Sequence, residues 1–156
     1  MTIYFYCRTS ELEAVMDSDE LETILEPELL AIQTYCLKQS WFMTESLKDT
    51  NCNWGQEFVK RDAGSKLVSV LNPGDIILCS KIERICSTSQ EVLRLISLLQ
   101  EKSVKLHIVE LDGDLTDPDL QVNFQQIADV FSSLEKRKSA ERIRGVKQRQ
   151  RKQGRY

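Results

Sequence analysis

An arginine stands two positions before a serine in YCRTS, residues 6–10, and two further arginines, Arg61 and Arg84, each follow an apolar stretch. Guanidiniums recognise phosphate oxygens through planar two-bond forks and stay charged. A serine hydroxyl ringed by them suits attack on a phosphodiester, where positioning and electrostatic stabilisation carry most of the catalysis. Each residue also has a plain structural role. Ser10 with Glu13 in SELE has the form of a helix capping box, Arg84 that of a solvated loop residue, and Arg61 that of a residue near a helix start. Other phosphate chemistry fits less well: a cysteine phosphatase needs Cys-x5-Arg, whereas Cys79 to Arg84 is Cys-x4-Arg, and no Gly-rich phosphate loop or dinucleotide fingerprint occurs. Five cysteines (Cys7, Cys36, Cys52, Cys79, Cys86) form no CxxC pair, and the one histidine, His107, lies mid-strand in VKLHIVE, so neither a metal nor another cofactor is expected.

Positioning such groups falls to 156 residues, enough for one domain with its own core. Short runs rich in β-branched and aromatic residues predict strands at 2–7, 41–47, 76–82 and 104–111. Between them the pattern predicts a helix after Pro27, with Leu30, Tyr35 and Leu37 on its apolar face, a loop from Lys48 to Gly64, a helix over 65–71 stopped by NPGD, and a helix over 89–103. Strands that are apolar throughout and alternate with helices imply a parallel sheet covered on both faces. The expected class is α/β, a parallel-type sheet of four or five strands flanked by helices. Ligands of such sheets bind beyond the carboxyl ends of the strands, which places Arg8, Ser10, Asp49, Glu83 and Arg84 on one rim.

Charge is unevenly spread. Residues 11–28 hold eight acids and no base, whereas residues 136–156 hold ten bases against Glu141, so the tail is +9 and the remainder −12 within a net −3. The acidic segment reads either as a solvated helix with Leu12, Val15 and Met16 inward or as a flap that repels or mimics a polyanion. Asp117 and Pro118 open a long final helix, with Leu120, Phe124, Ile127, Phe131 and Leu134 spaced 4, 3, 4, 3 as a seam for a helix partner. The division is therefore 1–117, a catalytic-type α/β domain with the 11–28 insertion, and 118–156, a dimerisation helix whose basic half suits a polyanion. No apolar run reaches the roughly 18 to 20 residues of a membrane span, and the N-terminus lacks a signal peptide's basic region. With unpaired cysteines this points to the cytoplasm.

In order and spacing these motifs resemble the serine recombinases, the resolvase and invertase group. Tyr6, Arg8 and Ser10 match that family's opening Tyr-x-Arg-x-Ser, Gln33 its first-helix glutamine, Asp49 its aspartate after strand two, and Arg61 to Gly64 its arginine turn. NPGDIILCSKIERICS resembles its strand-three block, with Glu83 and Arg84, and LEKRKSAERIRGVKQR its long helix, with Glu135, Lys136, Glu141 and Arg142. The resemblance implies a nucleophilic Ser10 that forms a 5′-phosphoserine link, a phosphate clamp of Arg8, Arg61 and Arg84, and supporting roles for Tyr6, Gln33, Asp49, Glu83 and Glu135. It also implies double-stranded DNA held by Lys136, Arg142, Arg144, Lys147, Arg149, Arg151 and Lys152, dimers and a synaptic tetramer, no metal or ATP, and a bacterial, phage or mobile-element origin. Ser87 departs from the pattern, standing where the family carries a second arginine. Loss of one such group typically costs about 10²- to 10³-fold in rate. The family also usually continues into a sequence-reading domain, so a separate or missing reader is expected. The alternative is a catalytically impaired, recombinase-like module that dimerises and touches DNA in a regulatory or architectural role.

Overall fold

The computed structural model describes residues 1–10, 17–52, 55–119, 129 and 131–133. The chain forms two compact units, residues 1–122 and 123–156. In the first, strand β1 (Ile3–Ser10) is followed by helix α1 (Ser18–Gln39), β2 (Glu45–Cys52), α2 (Asp62–Val70), β3 (Ile76–Cys79), α3 (Ser89–Glu101), β4 (Lys105–Ile108) and β5 (Gly113–Asp114). Short 3-10 turns at Phe58–Lys60, Ile82–Arg84 and Val109–Leu111 lead into α2, follow β3 and follow β4. The sheet order is β2-β1-β3-β4-β5, parallel except for the antiparallel β4–β5 pair, as the α/β reading expects. No helix among the described residues is long and apolar enough to cross a membrane. In the second unit Asp129 and Phe131–Ser133 are helical and Phe131 is buried, while Leu120, Phe124, Ile127, Leu134 and the basic residues from Lys136 onward lie outside the described residues.

Side-chain alternation along β1 splits the core into two faces. Ile3 and Phe5 meet Ile76, Leu78 and the inner side of α1, where Ile32, Tyr35 and Cys36 are buried. Burial of Ile32 alone, with no exposed surface left, is worth about 1.5–3 kcal/mol. Tyr6, on the other face, meets Phe58 edge-on with ring centroids 4.8 Å apart. His107 is a packed residue, with Nδ1 2.8 Å from the Tyr35 hydroxyl and its ring edge-on to Trp41.

Three local expectations are corrected. First, α1 does not begin after Pro27 but runs through it. Proline there removes the bond to the Thr23 carbonyl and crowds that carbonyl within the helix, but Pro27 and its neighbour Glu26 are exposed, so the ring meets no neighbouring element. Second, the apolar face of α1 is Ile32, Tyr35 and Cys36, whereas Leu30 and Leu37 point to solvent at 62% and 80% exposure. Third, β2 is not 41–47. Phe42 and Met43 are exposed on a crossing from the end of α1, and pairing to β1 starts at Glu45, opposite Tyr4. The polar stretch KDTNC, expected as loop, completes an edge strand, which can be polar because much of it faces water.

Candidate active site

Strand β1 outruns its neighbour. It pairs with β3 only over Ile3–Phe5, so Tyr6 to Ser10 project beyond that pairing, flanked by β2 on the other side. The β1–β2 register slips between Arg8, opposite Asp49, and Ser10, opposite Cys52, which gives β2 an extra residue at the mouth. Such bulges bend a strand end and re-aim its side chains. Ser10 is the last residue of β1; its side chain and residues 11–16, and with them the Ser10–Glu13 capping reading, lie outside the described part.

Asp49 organises one side of the mouth. It lies within β2 rather than after it, and its buried carboxylate accepts hydrogen bonds from the Tyr6 hydroxyl (2.6 Å) and the backbone N–H groups of Ala63 (2.7 Å) and Gly64 (3.1 Å). The last two are N–H groups that a helix start leaves without partners, so a carboxylate borrowed from the sheet caps α2 and meets its positive dipole end. Gly64 is required by this close approach, because a Cβ there would sit 2.0 Å from the Phe58 carbonyl oxygen. The Tyr6 hydroxyl in turn accepts from Arg61 Nη1 at 3.1 Å, and burial raises its pKa far above the usual phenol range. Arg61 is 1% exposed, donates from Nε to the Gln56 carbonyl, and among the described residues finds no hydrogen-bond partner for Nη2. Glu91 Oε1 is 3.9 Å from that nitrogen, close enough for attraction and too far for a bond.

The residues after β3 form the other side. Arg8 turns into this segment, donating to the Ser87 hydroxyl (2.9 Å), the Cys86 carbonyl (3.2 Å) and the Glu83 carbonyl. Burial, then the neighbouring Arg61, lowers Arg8 to about 10, which still leaves a full cation at neutral pH. Arg84 is no solvated loop residue. Its Nη1 donates to the Arg8 carbonyl at 2.9 Å, and its Nε and Nη2 fork onto Glu28 of α1 at 3.0 and 2.6 Å.

The structure thus gathers Tyr6, Arg8, Asp49, Arg61, Glu83 and Arg84 at the carboxyl end of β1 and leaves Gln33 exposed on α1. Glu135 and the basic tail lie outside the described residues. Two members are new. Glu91 is buried and accepts from the backbone N–H groups of Phe58 and Ser87, both at 2.8 Å, tying together the segments that carry Arg61 and Arg84. Thr88-x-x-Glu91 is a capping-type signal in the sequence, and Thr88 does cap α3 by accepting from the Glu91 N–H. Glu28, one of eight acids in its segment, carries no such signal.

Three buried arginines thus gather beside a strand that ends in serine. The family model "Resolvase, N terminal domain" matches residues 3–156, and the chain belongs to that family, the serine recombinases. Among solved structures it is similar to a resolvase family site-specific recombinase from Streptococcus pneumoniae, with a TM-score of 0.55 and 16% identity over 97% of this chain and 99% of that one. It is also similar to the N-terminal catalytic domain of TP901-1 integrase, with a TM-score of 0.57 and 12% identity over 90% and 98% of the two chains. The C-terminal catalytic domain of ISC1926 TnpA, an IS607-like serine recombinase, aligns with a TM-score of 0.50 and 19% identity over 70% of each chain. At these identities the likeness is one of fold. No curated protein matches by sequence.

Proposed function

We propose that the chain is a site-specific DNA recombinase in which Ser10 is the nucleophile. The Ser10 hydroxyl oxygen bonds to phosphorus as the bond from phosphorus to the 3′ oxygen breaks, leaving a 5′-phosphoseryl protein and a protonated 3′-hydroxyl. Reversal on an exchanged end restores the phosphodiester, so the link conserves the bond and no nucleotide is consumed. Arg84, Arg8 and Arg61 stabilise the charge on the phosphate, Tyr6 and Asp49 fix Arg61, and Glu83 holds Arg8 through its backbone carbonyl. Gln33 and Glu135 are supporting residues by resemblance alone. Double-stranded DNA is held by the basic half of the final helix, the Leu120 to Leu134 seam builds the dimer, dimers pair into the synaptic tetramer, and a separate domain or partner selects the site.

The observation that carries this proposal is the fork of Arg84. It already grips an oxyanion, and its third arm bonds the carbonyl of Arg8, two residues before Ser10. Arg61 Nη2, a buried donor with no hydrogen bond among the described residues, is a second available contact once the mouth opens. Incubation with supercoiled DNA, followed by denaturation, should reveal a covalent protein–DNA adduct that Ser10→Ala abolishes. Ser87→Arg, which restores a guanidinium, should raise adduct formation about 10²- to 10³-fold.

One observation favours a second reading, a non-catalytic DNA-binding and dimerisation module: among the described residues Arg8 donates to Ser87 and to two carbonyls of its own fold. Absence of an adduct in both the native chain and Ser87→Arg would overturn the enzymatic proposal and leave the module.

A further inference from the structure

We propose that Arg84 and Ser80 form an oxyanion seat which the chain fills with its own Glu28, so that a carboxylate of the acidic segment is displaced when a DNA phosphate binds. The identity of the displacing ligand rests on the function proposed above; the seat and its occupant do not.

Three donors converge on one carboxylate. Arg84 supplies Nε at 3.0 Å to Oε1 and Nη2 at 2.6 Å to Oε2, and the Ser80 hydroxyl adds a bond of 2.6 Å to Oε1. Two oxygens gripped by a planar fork, with a hydroxyl on one of them, is the donor set that the two non-bridging oxygens of a phosphodiester require. The seat is also in the right place. Its arginine is bonded to the Arg8 carbonyl, and two residues of extended chain, about 7 Å, separate Arg8 from Ser10.

Several features make Glu28 an exchangeable occupant rather than a buried strut. The ion pair is not fully sealed, each side chain keeping 10% of its surface exposed. A glutamate changes rotamer without moving α1, which stays anchored one turn further on by the fully buried Ile32. Release moves Glu28 from guanidinium to water while Arg84 exchanges one anion for another, so no buried charge is left uncompensated at the end. Glu28 also ends a run of eight acids that repels DNA approaching the mouth, so local charge and internal occupant act in the same direction.

The test uses the full chain and inorganic phosphate, read through the side-chain Nε–H NMR signal of Arg84, assigned by its loss in Arg84→Lys. In the native chain that signal should stay in place as phosphate rises. In Glu28→Gln, which keeps the shape and removes the charge, it should move saturably with at least tenfold tighter apparent binding. Adding Ser80→Ala to Glu28→Gln should then weaken phosphate binding severalfold. Equal movement in the native chain and Glu28→Gln would show that Glu28 blocks nothing, and no movement in either would show that Arg84 holds no free anion; either result overturns the proposal. Because the signal needs no DNA cleavage, failure here is distinguishable from failure of the Ser10 adduct assay.

Discussion

At the scale of single residues, Asp49 and Glu91 each receive donors from segments far apart in sequence. Asp49→Ala removes the acceptor of one hydroxyl and two backbone N–H groups at a buried helix start. The expected loss is about 3–5 kcal/mol of unfolding free energy, read as a lower urea midpoint, since donors left unmade in a buried site carry their full desolvation cost. Proton binding gives a second handle. Burial raises the thiols of Cys79 and Cys86 above their ordinary 9.0 and the phenol of Tyr6 above its ordinary 10.0. The unfolded chain therefore loses these protons first as pH rises, so stability is level at neutral pH and falls above about pH 9. Each group contributes up to about 1.4 kcal/mol per pH unit. Urea midpoints at pH 8 and 10 check this, and Cys79→Ala should reduce the fall by one group's share. Legibility differs sharply among these residues. Tyr6, Arg8 and Arg61 were readable because a motif holds them in sequence. The Glu28 partnership spans 56 positions and depends on which face α1 presents, which eight similar acids do not disclose.

Elements were legible wherever local pattern and tertiary environment agree. Strands β1, β3 and β4, all with neighbours on both sides, are apolar enough to declare themselves, and NPGD places Gly74 at φ 91°, a conformation suited to glycine. Edge strand β2 was misplaced because its hydrophobic neighbours Phe42 and Met43 look more strand-like than its own polar residues. Helix α1 was cut at Pro27 because proline is a breaker by local chemistry, and only an unobstructed exposed flank lets the helix pass through it. Pro27→Ala should therefore stabilise the chain by up to about 3 kcal/mol by restoring the bond to Thr23, provided α1 is already helical there. The start of α2 is the opposite case. Gly64→Ala forces a methyl to 2.0 Å from the Phe58 carbonyl, which cannot yield without moving the turn that carries Arg61. A loss of about 3 kcal/mol or more is expected by urea unfolding, whereas Ser65→Ala, at an exposed neighbour, should change stability by less than about 0.5 kcal/mol.

For the whole molecule the governing feature is charge separation, −12 over the first 135 residues against +9 over the last 21. An acidic body repels a duplex, so under the proposed function affinity comes from the tail, and affinity made of phosphate contacts carries a salt signature. Each contact contributes about −0.9 to the slope of log K against log salt concentration. If half of the ten basic residues engage phosphates, a generic duplex should bind with a slope of about −4 to −5, measured by fluorescence anisotropy. The chain ending at residue 135 should lose most of that slope together with most of the binding, and a native slope shallower than about −1 would remove the tail from DNA contact. Glu28→Gln then separates the two electrostatic roles on one plot. Opening a single seat adds at most one phosphate contact, so it should raise affinity at every salt concentration while steepening the slope by no more than about one. A gain confined to low salt would instead mean that Glu28 acts only through the general repulsion of its segment, which salt screens.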